Sequence, residues 1–160
     1  MAAKDFPRDE YERRWTRARD LMDRAGFDAL YVTEKNNYRY FSGHRTLQFG
    51  NKMRPMTLLI PRDRDPILLI YGLEAGDAKE QGWIDDVRSY VDVPFPWILI
   101  ADTLKDVGLA NARIGCELGP NQRMWLTFQD FEAVRAAMPS AEFVDASDVL
   151  VRCRLSKAPS

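Results

Sequence analysis

Residues 56–71 read MTLLIPRDRDPILLIY, two short apolar runs on either side of the five-residue turn RDRDP. Runs of strand length joined by so short a polar turn form an antiparallel hairpin. That constrains the fold, because a hairpin is incompatible with a purely parallel sheet. Asp63 and Asp65 are turn formers within it.

The segments around the hairpin are helical. Tyr11, Trp15, Ala18, Met22 and Ala25 recur at spacings of three and four, the mark of one buried helix face. Asp9 is placed to cap that helix, and Gly26 supplies its left-handed stop. The strand FDALYVT follows. The Asn36-Asn37 pair then reads as a turn, with YRYF as one helical turn packed by its rings. Beyond the hairpin, LEAGDAKEQG predicts a helix ended by Gly82, and VRSYV a strand. FPWILIADTLKDVG predicts a helix with Trp97, Ile100, Ala101, Leu104 and Val107 on one face, closed by Gly108. ARIGCE is a strand. TFQDFEAVRAAM is a helix with Thr127 as N-cap and Phe128, Phe131, Val134 and Met138 inward. EFVDA is a last short strand, and SDVLVRCRL a final helix capped by Ser147. Helices between most strands, plus one hairpin, predict an α/β domain with a mixed sheet. Its core includes Trp15, Leu30, Val32, Leu58, Leu59, Leu68, Leu69, Ile114 and Phe131.

Bulk properties narrow the function. The 160 residues are 46% hydrophobic and 29% charged, with a net charge of −1. This describes a globular domain with no global attraction to nucleic acid or anionic membrane. No apolar run approaches the roughly 20 residues of a membrane span. The charged N-terminus does not resemble a signal peptide, and Cys116 and Cys153 read as free thiols in a reducing, cytoplasmic setting.

The chemistry available is sparse. His44 is the one histidine, and zinc and P-loop spacings are absent. A nucleophile–base pair would have to use His44, which as a lone histidine is more often a surface or hydrogen-bonded residue. Asp85 and Asp86 are neighbours on a strand and point to opposite faces, so they make a poor acid/base pair. Glu117 ends a predicted strand, where α/β sites occur, but stands there as a single carboxylate. The segment Ser42–Met56 carries His44, Arg45, Lys52 and Arg54 and no acidic residue. A connection of this length is commonly functional. Phe49 and Gly50 add an apolar surface and a flexible point, and an arginine fork would suit a carboxylate ligand. A solvated basic loop is the equal alternative.

Three stretches together resemble the creatinase/prolidase N-terminal domain. The first matches through Gly26, Asp28, Ala29, Leu30, Val32, Thr33, Asn37, Tyr40, Ser42 and Gly43. The second is RIGCE, from Arg113 to Glu117. The third is RLSKAPS, through Arg154, Lys157 and Pro159, with Ala158 where Ser or Asp is commoner. The resemblance implies a three-layer α/β/α fold with a mixed sheet and a ribonuclease H-like motif. It also implies a domain over residues 1–152, with 153–160 beginning a linker to an absent C-terminal catalytic domain.

In this family the second domain carries a dinuclear metal site, of Mn, Zn or Co, or the metal-free site of creatinase. No cofactor is therefore expected in the present chain. The resemblance further implies a homodimer whose N-terminal domain lines the partner's active-site entrance. It also implies a small substrate, a peptide or another carboxylate-bearing molecule. In creatinase-type members a Phe-Gly-x-Arg-Pro loop supplies an arginine to the substrate carboxylate. Phe49, Gly50, Arg54 and Pro55 stand in similar order with a longer gap, and His44, Arg45, Phe49 and Arg54 are the candidate substrate-binding residues. The expected function is that of a non-catalytic domain of an Xaa-Pro peptidase or creatinase-type hydrolase. The alternative is a free-standing α/β binding or dimerisation module. A complete small enzyme lacks a nucleophile–base set.

Overall fold

The computed structural model describes residues 4–46, 48, 54–91 and 96–155. Helix α1 spans Arg8–Ala25 and buries Tyr11, Trp15, Ala18 and Met22 along one stripe. Pro7 stands at its N-cap with no side-chain capping bond. Asp9 is therefore inside the first turn rather than capping it, where its charge complements the helix dipole and pairs with Arg13 at 2.8 Å. Gly26 ends the helix at φ +71°, a conformation that a β-carbon disfavours.

Strand β1, Ala29–Val32, is wholly buried. Helix α2 covers Lys35–Ser42, so Asn36 and Asn37 are helical rather than a turn. The reason is local: the Glu34 side chain accepts from the backbone N–H of both, capping the helix one residue before it starts. Strands β2 (Thr57–Pro61) and β3 (Ile67–Tyr71) form the expected hairpin, with Leu58 opposite Leu68. A 3-10 turn at Gly72–Glu74 leads into α3, Ala75–Gln81, and then β4, Asp86–Tyr90. Helix α4 (Ile98–Asp106), β5 (Arg113–Cys116), α5 (Phe128–Ala137), β6 (Glu142–Asp145) and α6 (Ser147–Leu155) complete the described chain.

The six strands lie in the order β4-β3-β2-β1-β5-β6. Strand β2 is antiparallel to both neighbours, while β1–β5, β5–β6 and β3–β4 are parallel pairs. Side chains alternate across the sheet, so the unbroken apolar runs supply two cores. Leu30, Val32, Leu58, Ile60, Leu68 and Ile70 face α1, α2 and α6. Tyr31, Leu59, Ile67, Leu69 and Ile114 face α4 and α5. The result is the three-layer α/β/α arrangement, and all nine expected core residues are buried.

Two further helix details differ from expectation. Phe128 is 78% exposed. At about 100° per residue, three-residue steps each fall about 60° short of a full turn, so Phe128 lies about 90° from the face that Phe131, Val134 and Met138 share. At α6, Ser147 is the first helical residue. The side chain that accepts there is that of Asp145, which takes the Ser147 N–H at 3.0 Å.

Candidate functional site at the carboxyl edge

Five of the strands, β1, β3, β4, β5 and β6, end at the same edge of the sheet, and the antiparallel β2 begins there. The described parts of the connection between Gly43 and β2, residues 43–46 and 54–56, therefore lie at the carboxyl edge, where α/β sheets hold their ligands. Its start is fixed by Gly43, which ends α2 at φ +74°. A β-carbon there would lie 2.6 Å from the Tyr11 hydroxyl oxygen, so the turn is pressed directly onto α1.

His44 is fully buried. Its Nδ1 shares a hydrogen bond with the Tyr38 hydroxyl at 2.8 Å, and Nε2 stands 3.4 Å from Glu74 Oε2. Burial pushes its pKa below the ordinary histidine value, against the pull of Glu74 and Asp77. Arg45 follows with its backbone N–H on Gln81 Oε1 at 2.7 Å and its guanidinium 3.2 Å from Asp5. Phe49 lies outside the described residues. Arg54 stacks its guanidinium over Tyr71, 4.1 Å from the ring centroid. Tyr71 meets Tyr90 edge to face at 5.8 Å, and the Tyr90 hydroxyl donates to Pro55 O at 2.8 Å. Burial raises the Tyr90 pKa, while the Arg54 charge opposes the rise. The structure thus separates the candidates: His44 points inward, Arg45 meets Asp5, and Arg54 lies on an aromatic floor at the ends of β3 and β4.

Glu117, at the end of β5, is a larger feature than its lone place in the sequence conveys. Its Oε2 accepts from Thr33 N (2.8 Å), Thr33 Oγ1 (3.0 Å) and Glu34 N (2.8 Å). Its Oε1 accepts from Asn37 Nδ2 at 2.8 Å. Burial pushes its pKa up, and these hydrogen bonds pull it down. The Thr33 hydroxyl in turn accepts from Trp125 N at 2.7 Å. Glu117 therefore locks β5, β1 and the start of α2 together at the edge. The available signal was that Thr33, Asn37 and Glu117 each belong to the stretches that carry the resemblance.

His44 and Glu117, the groups best suited to moving a proton, are both buried; Glu117 is held by hydrogen bonds on both oxygens, and His44 through Nδ1, while its Nε2 has no hydrogen-bond partner among the described residues. Among the described residues no group of three or more His, Cys, Asp or Glu side chains could hold a metal ion. Cys116 and Cys153 are buried free thiols whose pKa values burial raises, that of Cys153 to about 11. No described helix is long and apolar enough to cross a membrane. What the edge offers chemically is cationic: a planar guanidinium suited to an anion.

The family model for the creatinase/prolidase N-terminal domain matches residues 14–156. The chain is 29% identical over 136 residues to an Xaa-Pro dipeptidase of Lactobacillus delbrueckii subsp. lactis, covering 84% of this chain and 35% of that protein. It is 28% identical over 155 residues to a creatinase of Bacillus sp. (strain B-0618), covering 96% and 35%. The crystal structure of the dipeptidase PepE from Mycobacterium ulcerans superposes with a TM-score of 0.73 at 26% identity, covering 96% of this chain and 38% of that one. The chain thus spans little more than a third of the length of these relatives. The match over most of the chain and the mixed six-stranded sheet agree, and the chain belongs to the creatinase/prolidase N-terminal domain family.

Proposed function

We propose that this chain is the non-catalytic N-terminal domain of a hydrolase that cleaves a C–N bond in a small substrate, of the Xaa-Pro peptidase or creatinase type. In this reading the domain contributes to a homodimer, and its carboxyl edge lines the substrate entrance of the partner subunit. Any dinuclear Mn, Zn or Co site belongs to the C-terminal domain. The observation that carries the reading is Arg54: its guanidinium lies over Tyr71, 4.1 Å from the ring centroid, and it takes part in none of the ion pairs among the described residues. A stacked guanidinium keeps its N–H edge for a planar anion such as a substrate carboxylate.

The test is Arg54→Ala in the protein that joins this chain to its hydrolase domain. Losing a charge pair inside a water-poor site costs about 2–5 kcal/mol, so kcat/KM for Xaa-Pro dipeptides or creatine falls by about 30-fold or more. A solvated arginine contributes about 0–1 kcal/mol. A change within about threefold, roughly 0.7 kcal/mol, defeats the assignment.

A further inference from the structure

Residues 4–7 run across the outside of α1 and α2 without regular helix or strand structure. They are fastened at two points. Lys4 Nζ lies 3.4 Å from the centroid of Trp83 and donates to Gly82 O at 2.6 Å. Trp83 Nε1 donates to Phe6 O at 3.0 Å. Between these fastenings Asp5 bridges two arginines: Oδ2 is 3.2 Å from Arg39 Nη2, and Oδ1 is 3.2 Å from Arg45 Nη1.

The two guanidiniums reach this carboxylate from different supports. Arg39 stands on α2, and Arg45 follows the Gly43 turn with its backbone tied to Gln81. Beside them a groove of about 270 Å³ runs past Tyr11, Asn36 and Tyr40. Its floor holds Arg14, whose guanidinium sits 4.8 Å from the Phe6 ring centroid, 4.9 Å from Tyr11 and 4.5 Å from Tyr40. Arg14 also donates to Glu10 and to Tyr40 O.

We propose that Arg39 and Arg45 form a carboxylate-binding site that Asp5 occupies as an internal ligand, and that a small carboxylate-bearing molecule takes its place when residues 4–7 lift. Two guanidiniums converging on one carboxylate are a recognition arrangement for that group whatever chain it belongs to. The fastenings are part-exposed ion pairs, hydrogen bonds and a cation–π contact, each individually modest, so lifting is a local opening and not unfolding. The internal ligand reduces apparent affinity to the intrinsic value multiplied by the fraction of molecules in which it is lifted. The inference does not depend on the hydrolase reading.

The test is titration of the 160-residue chain with succinate at matched ionic strength, followed by calorimetry and by the arginine Nε–H resonances. Asp5→Asn keeps the shape and removes the charge. The expected result is succinate binding about tenfold tighter than in the unmodified chain, with the gain abolished by adding Arg39→Gln and Arg45→Gln. Asp5→Ala is a second variant that should show the same gain. Equal binding by the unmodified chain and both Asp5 variants would overturn the proposal, as would a gain that survives loss of the two arginines.

Discussion

The carboxylate of Glu117 holds the backbone N–H of Thr33 at 2.8 Å, across 84 residues of sequence. The same Oε2 takes the Thr33 hydroxyl and Glu34 N, and Oε1 takes Asn37 Nδ2. Every partner is a donor. Glu117→Gln puts an amide N–H₂ against donors on one side and leaves buried N–H groups unpaired. The expected cost is about 2–4 kcal/mol, from lost charge-assisted bonds and stranded donors. The urea midpoint reads it; a loss below about 0.5 kcal/mol would show that the lock is not needed for stability.

Gly43 is held by a backbone φ of +74° and by the Tyr11 ring, so Gly43→Ala meets two obstacles. The left-handed conformation costs an L-residue about 1–2 kcal/mol, and the new methyl would sit 2.6 Å from the Tyr11 oxygen and 2.8 Å from Cζ. Destabilisation of about 2 kcal/mol or more is expected. Tyr11→Phe in the same chain removes the nearer contact and leaves the other. The double variant should therefore recover part of the loss, a non-additivity that a two-site denaturation cycle measures.

Much of the fold was legible because its signals are local. The hairpin, the α1 stripe and the strand runs are set by period and turn chemistry, which each segment carries in itself. The site was less legible because its contacts are long-range. Nothing near residue 44 in sequence shows that Glu74 stands beside His44, or that Asp5 reaches Arg45. Arg45 looked unopposed because its acidic partner stands 40 residues upstream. Asn36 and Asn37 looked like a turn because their own preferences favour one; the Glu34 cap and the buried face of Tyr38 and Phe41 override it.

The face of α5 can be tested directly. Phe128 opens the helix exposed, whereas Phe131 is buried and meets Phe143 edge to face at 5.7 Å. Phe131→Ala should cost about 3–5 kcal/mol, as large core truncations do. Phe128→Ser should stay within about 0.5 kcal/mol, as surface changes do. Comparable losses for both in thermal unfolding would mean that α5 presents a different face to the sheet.

His44 makes stability depend on pH with a definite sign. Its folded pKa lies below the ordinary value of 6.5, so the unfolded chain takes up the proton first as pH falls. Between 6.5 and the lower folded pKa the unfolded state binds more protons, and stability falls with falling pH across that window. Each unit of depression corresponds to about 1.4 kcal/mol. The groups facing the ring are Tyr38 from α2, Glu74 from the turn after β3 and Asp77 from α3; the two carboxylates oppose the depression without reversing it. His44 is the one histidine in the chain, so its ring proton resonance is unambiguous. An NMR titration should place its midpoint below 6.5. From pH 7 to pH 5.5 the urea midpoint of the unmodified chain should fall relative to that of His44→Gln, a difference that isolates His44 from the opposite contribution of the buried Glu117, whose pKa is raised. A titration midpoint at or above 6.5 would mean that Glu74 outweighs burial, and the pH dependence would then run the other way.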